Sequence, residues 1–552
     1  MHAKQLVSRR AVTAVVVVAA AAALALAYGK TYGSNNQLTY LLGPLRRAHP
    51  ELYRRDWLVA TTTAYHPVFA WLAAPMYTLD PGGIVAFAIA QLVVMVATFA
   101  LLYRLIAALA TGARLPMFLL LVGLLALGGG HAMAGSYLFA GYLQPSSLAT
   151  LGWLAALLAW LRDRPLAAGV WLALAGACHI NFLVLGIGLF AAVELASRRV
   201  DLRRLAAVLG PSLVVLAAFS PVMLASAGAH DPDLALRILV KFHAPGHYDP
   251  PRFRRWLPPL LAWLVVAWAA LPVARASGQP AVDRLWRFAA AATAVCVAAT
   301  AIVSIPPWLG FTRLYVWRIA PFAQLASQLV AITAALAPAA ASAATNSARR
   351  TLAAVIGAAV VIFEALHLTG DHLYTAALGI VAAVALAARW LRLRTPALVL
   401  AIATCGIALA TQRDTLVDSP LFDPKCVGDD CVLIDWVKTK TPVDAVFLVP
   451  PYMDWFRLLG ERAVVADTKS PPLYPDELVE WYRRLCAMVD APDMATHEAV
   501  EARWDTLTAD PLLAAARRFA VDYVLLYKQR SPARLAQPVA FENAGYVVYR
   551  VR

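Results

Sequence analysis

The chain has 552 residues, 61% of them hydrophobic, and a mean hydropathy of +0.64, which excludes an ordinary soluble enzyme and points to many membrane spans. Its net charge of +15 is unevenly divided: residues 1–411 hold 31 Lys and Arg against 12 Asp and Glu, and residues 412–552 hold 17 against 21. The basic excess therefore reads as membrane topology and is no evidence for a nucleic-acid partner, and none is expected.

Apolar runs long enough for spans occur at 11–28, 84–106, 116–134, 145–161, 166–179, 181–197, 204–226, 257–275, 286–304, 315–336, 350–368, 372–390 and 396–411. The run at 166–179 is short enough to be a broken or re-entrant piece. Arg and Lys cluster in alternate connections, among them Arg104 with Arg114, Arg198 with Arg203, and Arg389 with Arg394. The positive-inside rule then places the N-terminus inside and the tail outside. The predicted fold class is a polytopic α-helical membrane protein of about 13 spans, N-in and C-out, with a C-terminal extracytoplasmic α/β domain. The predicted division is 1–411 for the transmembrane part and 412–552 for the outer domain, in a bacterial inner membrane with that domain in the periplasm. Ala25-Leu26-Ala27 also looks like a signal-peptide cleavage triplet, which would leave the orientation unchanged.

The first outer loop, 29–83, is long and rich in aromatic residues. Leu38, Leu41, Leu42 and Leu45 have helical spacing, and Pro67–Leu79 is apolar but too short to span, so both segments predict helices lying in the membrane interface. A plain membrane-hugging connector is the bland alternative. The loop at 227–256 gathers His243, His247, Tyr248, Asp249, Arg252, Arg254 and Arg255. Arg forks and charged His suit a phosphate, and equally a collar on lipid headgroups. Further on, Arg313 falls near the outer end of a predicted span and Arg318 one turn deeper, where an Arg faces a cavity or a partner.

In the tail, 446–450, 462–467, 523–528 and 546–551 predict strands, and Pro475–Met488 predicts a helix. Cys426 and Cys431 stand close enough to form a disulfide in an oxidising compartment. Cys178, Cys296 and Cys405 read as small buried hydrophobes, and Cys486 is unpaired.

The segments GSNNQLTYL and HPELYRRDW early, KFHAPGHY in the middle, and TPVDAVFLVPPYMDWFRLLGERAVVADTKSPP late, on this layout, resemble the GT-C superfamily of integral membrane glycosyltransferases. The stretch DWFRLLGERAVVADTKS is loosely similar to part of the oligosaccharyltransferases, although their WWDYG motif is absent, so peptide acceptors are not carried over. The resemblance implies a polyprenyl-phosphate-linked sugar donor, membrane lipid as surroundings, and a glycan, lipid or protein acceptor at the outer face. It implies a carboxylate on the first outer loop as general base or as holder of a divalent metal, Mg or Mn. Asp56 is the matching position. Many members carry two adjacent acids there; here Arg55 precedes Asp56, and Glu51 is the other candidate carboxylate. His243, His247, Tyr248, Arg252, Arg313 and Arg318 are expected at the donor phosphate. Asn35, Gln37, His66, His179, Asn181, Arg457, Asp467 and Lys469 are expected around sugar or acceptor. Two alternatives belong to other classes. One is a lipid-linked saccharide flippase or transporter. The other is a non-catalytic scaffold with a glycan-binding outer domain, for which Asp56→Asn would leave function intact.

Overall fold

The computed structural model describes residues 2–28, 32–63, 66–127, 132–197, 199–225, 228–305, 308–336 and 426–552. The runs predicted at 350–368, 372–390 and 396–411, Cys405 and the boundary at 411/412 lie outside the described residues. Among the described residues, three helices are long and apolar enough to cross a membrane: Ile84–Leu109, Leu202–Leu224 and Ala281–Ser304. Shorter apolar helices include Pro145–Leu161, Pro165–Cys178 and Ile180–Leu195. Pro67, Pro145, Pro165, Pro232 and Pro475 each stand at a helix start, where the missing N–H costs nothing.

The short run expected at 166–179 is the helix Pro165–Cys178. His179, in extended conformation, breaks it from Ile180–Leu195. The helix packs closely on its neighbour because Gly169 carries no side chain: a Cβ there would lie 2.5 Å from the Ala207 carbonyl oxygen in Leu202–Ala225. Two predicted spans differ from the structure. The run at 116–134 is a helix only over Arg114–Leu127, and Met133–Gly135 forms a separate 3-10 turn. The run at 315–336 begins with Tyr315 in the left-handed region and a 3-10 turn at Val316–Ile319 before the helix Ala320–Leu336. Arg318 therefore sits in a turn at the helix mouth. Hydropathy alone cannot separate these turns from the helices they abut.

The first outer loop folds into Gln37–Tyr40, Leu42–Ala48, Trp57–Thr61 and Pro67–Leu79. Leu38, Leu41, Leu42, Leu45 and Leu52 bury together with Leu458 and Leu459 of the tail, so the loop is a platform for the C-terminal domain. That domain has a five-stranded sheet: β1 Val446–Leu448, β2 Ala463–Val464, β3 Tyr523–Tyr527, β4 Val539–Glu542 and β5 Tyr546–Arg550. Their order is β2-β1-β3-β5-β4, with β1 parallel to β2 and β3, and β5 antiparallel to β3 and β4. Alternation divides the sheet between two cores. Leu448, Val524 and Leu526 pack with the helix Pro475–Met488, while Phe447, Val449 and Leu525 pack with Leu433 and Val437 of the helix Asp429–Lys440. Strand β4 is not among the strands expected from the sequence; it is a short, partly exposed edge strand with a bulge between Val539 and Phe541. Cys426 and Cys431 are disulfide-bonded, and Cys178, Cys296 and Cys486 are buried thiols.

Candidate functional site

A cavity of about 500 Å³ opens where the first outer loop, the 243–248 loop, the mouth of Ala320–Leu336 and the C-terminal domain meet. Its wall takes Asn36 and Tyr40 from the loop, His243, His247 and Tyr248 from the middle of the chain, Arg318 from the turn, and Asp454, Lys469 and His497 from the domain.

One peptide carbonyl organises the membrane side. Ala134 has φ 58° and ψ 29°, and Gly135 follows at φ 68°. A non-glycine residue in that region costs about 1–2 kcal/mol. The turn aims the Ala134 carbonyl at two donors: His247 Nδ1 at 2.6 Å and Tyr315 Oη at 2.7 Å. Tyr315 is itself left-handed, at φ 45°. Gly135 leaves room for the imidazole, since a Cβ there would fall 2.8 Å from His247 Cε1. Donation from Nδ1 fixes the tautomer and leaves Nε2 unprotonated. The rest of the ring is open to the cavity.

Two fixed cations face this space. The Arg318 guanidinium lies 5.0 Å from the Tyr315 ring centre and 5.7 Å from that of Phe182, and its Nε is buried without a hydrogen-bond partner. Lys469 reaches Asn35 Oδ1 at 3.4 Å. The histidines do not add to this charge. Burial pushes His243 down to about 3 and also lowers His247 and His497, with Lys469 acting in the same direction on all three. The expected charged-histidine contact to phosphate is thereby corrected to neutral imidazole.

Asp56 is elsewhere. It is 1% exposed and is absent from the cavity wall. As N-cap of Trp57–Thr61, it accepts from the Val59 N–H at 3.0 Å. Its other oxygen accepts from Arg457 Nε and the Val464 N–H, each at 3.0 Å. Arg457 also pairs with Asp467, whose second oxygen takes the N–H groups of Lys469 and Ser470 at 3.0 and 2.8 Å. The attractions of the two carboxylates raise the Arg457 pKa despite burial, the largest opposing influence. Asp56, Arg457 and Asp467 thus form a buried strut from the first outer loop to the Lys469 loop. Three of the carboxylate's roughly four lone-pair sites are taken, and its burial keeps an incoming hydroxyl away from the remaining one.

The other expected residues divide. Glu51 is exposed, 3.6 Å from His49. Arg252 is exposed and Arg313 lies 5.6 Å from the Tyr474 ring centre, both outside the wall. Gln37 is buried and donates to the Leu143 carbonyl at 3.1 Å. Asn181 donates to the Leu314 carbonyl at 3.4 Å. His66 and His179 lie behind the wall with ring centres 4.5 Å apart and planes tilted by 56°, His66 lying 5.0 Å from Tyr40. Sequence reasoning missed Asn36, Tyr40, Tyr137, Tyr315, Asp454 and His497, all in the wall. It also missed a cap signal, since an Asp directly before the apolar run Trp57-Leu58-Val59-Ala60 is a preferred helix start.

Mg and Mn favour several oxygen ligands. The wall offers one carboxylate, Asp454, and among the described residues no group of three or more His, Cys, Asp or Glu side chains converges. The described residues of the wall do not fit a dedicated divalent site.

A protein-family model for a domain of unknown function, DUF6798, matches residues 431–488. A comparison with curated proteins finds no match. Among solved structures, ArnT from Cupriavidus metallidurans bound to undecaprenyl phosphate is similar with a TM-score of 0.48 and 14% identity, over 99% of this chain and 98% of that one. Its apo form gives 0.46 and 15%, over 100% and 98%. The arabinosyltransferase EmbB from Mycobacterium smegmatis gives 0.40 and 15%, over 73% of this chain and 40% of that one. At these scores neither likeness assigns a reaction to this chain.

Proposed function

We propose that the protein is a membrane glycosyltransferase of the GT-C kind, moving a sugar from a polyprenyl-phosphate donor to an acceptor at the periplasmic face of a bacterial inner membrane. The single observation that carries this reading is the pairing of Arg318 and Lys469, from the membrane part and the outer domain, across one aromatic-walled cavity with a single carboxylate in its wall. Such a space favours a phosphate and disfavours a second anion. Tyr40, Tyr137, Tyr248 and Tyr315 supply ring faces and hydroxyls suited to a sugar. The leaving group is a lipid phosphate, which needs cations to take up its charge and no strong acid to protonate it. The charge division along the sequence supports an outward-facing domain.

The test is transfer from radiolabelled polyprenyl-phosphate sugars by the reconstituted full chain, together with polyprenyl-phosphate binding. Arg318→Gln and Lys469→Gln should each weaken binding about tenfold, the loss of a charge-assisted contact. Binding unchanged in both variants would sink the phosphate assignment, and no transfer with any donor would sink the enzyme reading.

A further inference from the structure

With Asp56 enclosed in the strut, the reaction proposed above needs a base from the cavity wall. We propose that His247 is the general base: its Nε2 takes the proton of the acceptor hydroxyl as that oxygen attacks the anomeric carbon. The proposal rests on the phosphate-binding reading of the same cavity.

Geometry carries it. A base must lie in the cavity, hold one tautomer and keep its orientation through the reaction. His247 lies in the wall. Its Nδ1–H is held at 2.6 Å by the Ala134 carbonyl, the carbonyl that also receives the Tyr315 hydroxyl. Three left-handed residues, Ala134, Gly135 and Tyr315, converge on that one contact. Strained backbone at Ala134 and Tyr315 thus gathers around this one side chain, as strain does where folds fix reacting groups.

The charges around the ring give the step its direction. Arg318 and Lys469 bear on it, His243 and Tyr248 are its titratable neighbours, and Tyr315 Oη lies 3.2 Å from Nδ1. Burial and the nearby cations keep the imidazole neutral and able to accept. An anionic donor on the cations offsets their repulsion of a proton, and the negative charge that grows on the departing phosphate favours it further. In the balanced step, the O–H proton moves to Nε2 and the acceptor oxygen bonds to the anomeric carbon. The bond from that carbon to the phosphate oxygen breaks, with its electron pair leaving on the phosphate. The products are the glycosylated acceptor and polyprenyl phosphate, and the imidazolium returns its proton to water.

Asp454, the one carboxylate in the wall, is the rival base. The experiment measures kcat against pH, with saturating donor, for the reconstituted full chain and for His247→Ala, His247→Asn and Asp454→Asn. Polyprenyl-phosphate binding is measured in parallel. Both His247 variants should lose about 10²–10⁴-fold in kcat while the binding constant moves less than about threefold. The wild-type acid limb should vanish in them, and imidazole added to His247→Ala should restore turnover. Asn places its amide nitrogen where Nδ1 stands and can still donate to the Ala134 carbonyl, so His247→Asn guards against a folding failure in His247→Ala. Retained kcat in either variant, an acid limb that persists, or its loss in Asp454→Asn alone would overturn the assignment. A wild-type chain that binds polyprenyl phosphate yet transfers nothing would overturn both this base and the enzyme reading. Transfer that survives in the His247 variants overturns the base alone.

Discussion

Replacing Asp56 by asparagine separates a strut from a base. The aspartate accepts three hydrogen bonds at 3.0 Å: from Val59 N–H on one oxygen, and from Arg457 Nε and Val464 N–H on the other. Asparagine has one acceptor oxygen. In its less damaging rotamer it keeps Arg457 and Val464 and turns its amide N–H toward Val59, losing a helix cap worth about 1 kcal/mol. The lost charge opposite a buried guanidinium weakens that bond by about 2 kcal/mol. Arg457 still has Asp467, so the full cost of a stranded ion does not arise. The expected destabilisation is about 3 kcal/mol, below the roughly 3–5 kcal/mol or more expected of Arg457→Leu, which leaves two buried carboxylates without their cation. The assay is thermal unfolding of the full chain in detergent beside single-turnover transfer at low temperature. Asp56→Asn should unfold earlier and still transfer sugar, with weakened donor binding through the displaced Lys469 loop. Unchanged stability together with a hundredfold or greater loss of the chemical step would refute the strut and restore Asp56 as the base.

Gly135→Ala puts a methyl 2.8 Å from His247 Cε1 on backbone at φ 68°, so kcat should fall while polyprenyl-phosphate affinity holds, as kinetics and binding on one preparation would show. His243 has its folded pKa below its ordinary 6.5, so the unfolded chain binds more protons between those values. Stability should therefore be complete above pH 6.5 and decline as pH falls toward about 3, with a shallower decline in His243→Asn, read by unfolding across pH. Reducing the Cys426–Cys431 disulfide opens a short loop, so stability should drop by no more than about 2 kcal/mol and sugar transfer should be unaffected.

The helices and the domain were legible because they rest on local patterns. The apolar run at 84–106 is the helix Ile84–Leu109, and the strands near 446, 523 and 546 follow short β-branched and aromatic segments. The site was only half legible. His243, His247, Tyr248, Arg318 and Lys469 stood out as polar residues among apolar ones. Asp56 stood out for the same reason and proved to be enclosed, because the residue that claims it, Arg457, lies 401 positions further along the chain. The left-handed turn at Ala134 was illegible because alanine carries no marker of such a backbone.

The cavity wall begins at Asn36 and is completed by Thr468, Lys469 and His497. A ribosome therefore makes the last wall residues long after the first apolar helices have left it. A nascent or prematurely terminated chain holds Arg318 and His247 beside an open half-cleft, with no lysine to complete a phosphate grip. Under the proposed function, competence to react would arrive late in synthesis, when the C-terminal domain docks, and an incompletely made chain would be inert toward lipid-linked donors.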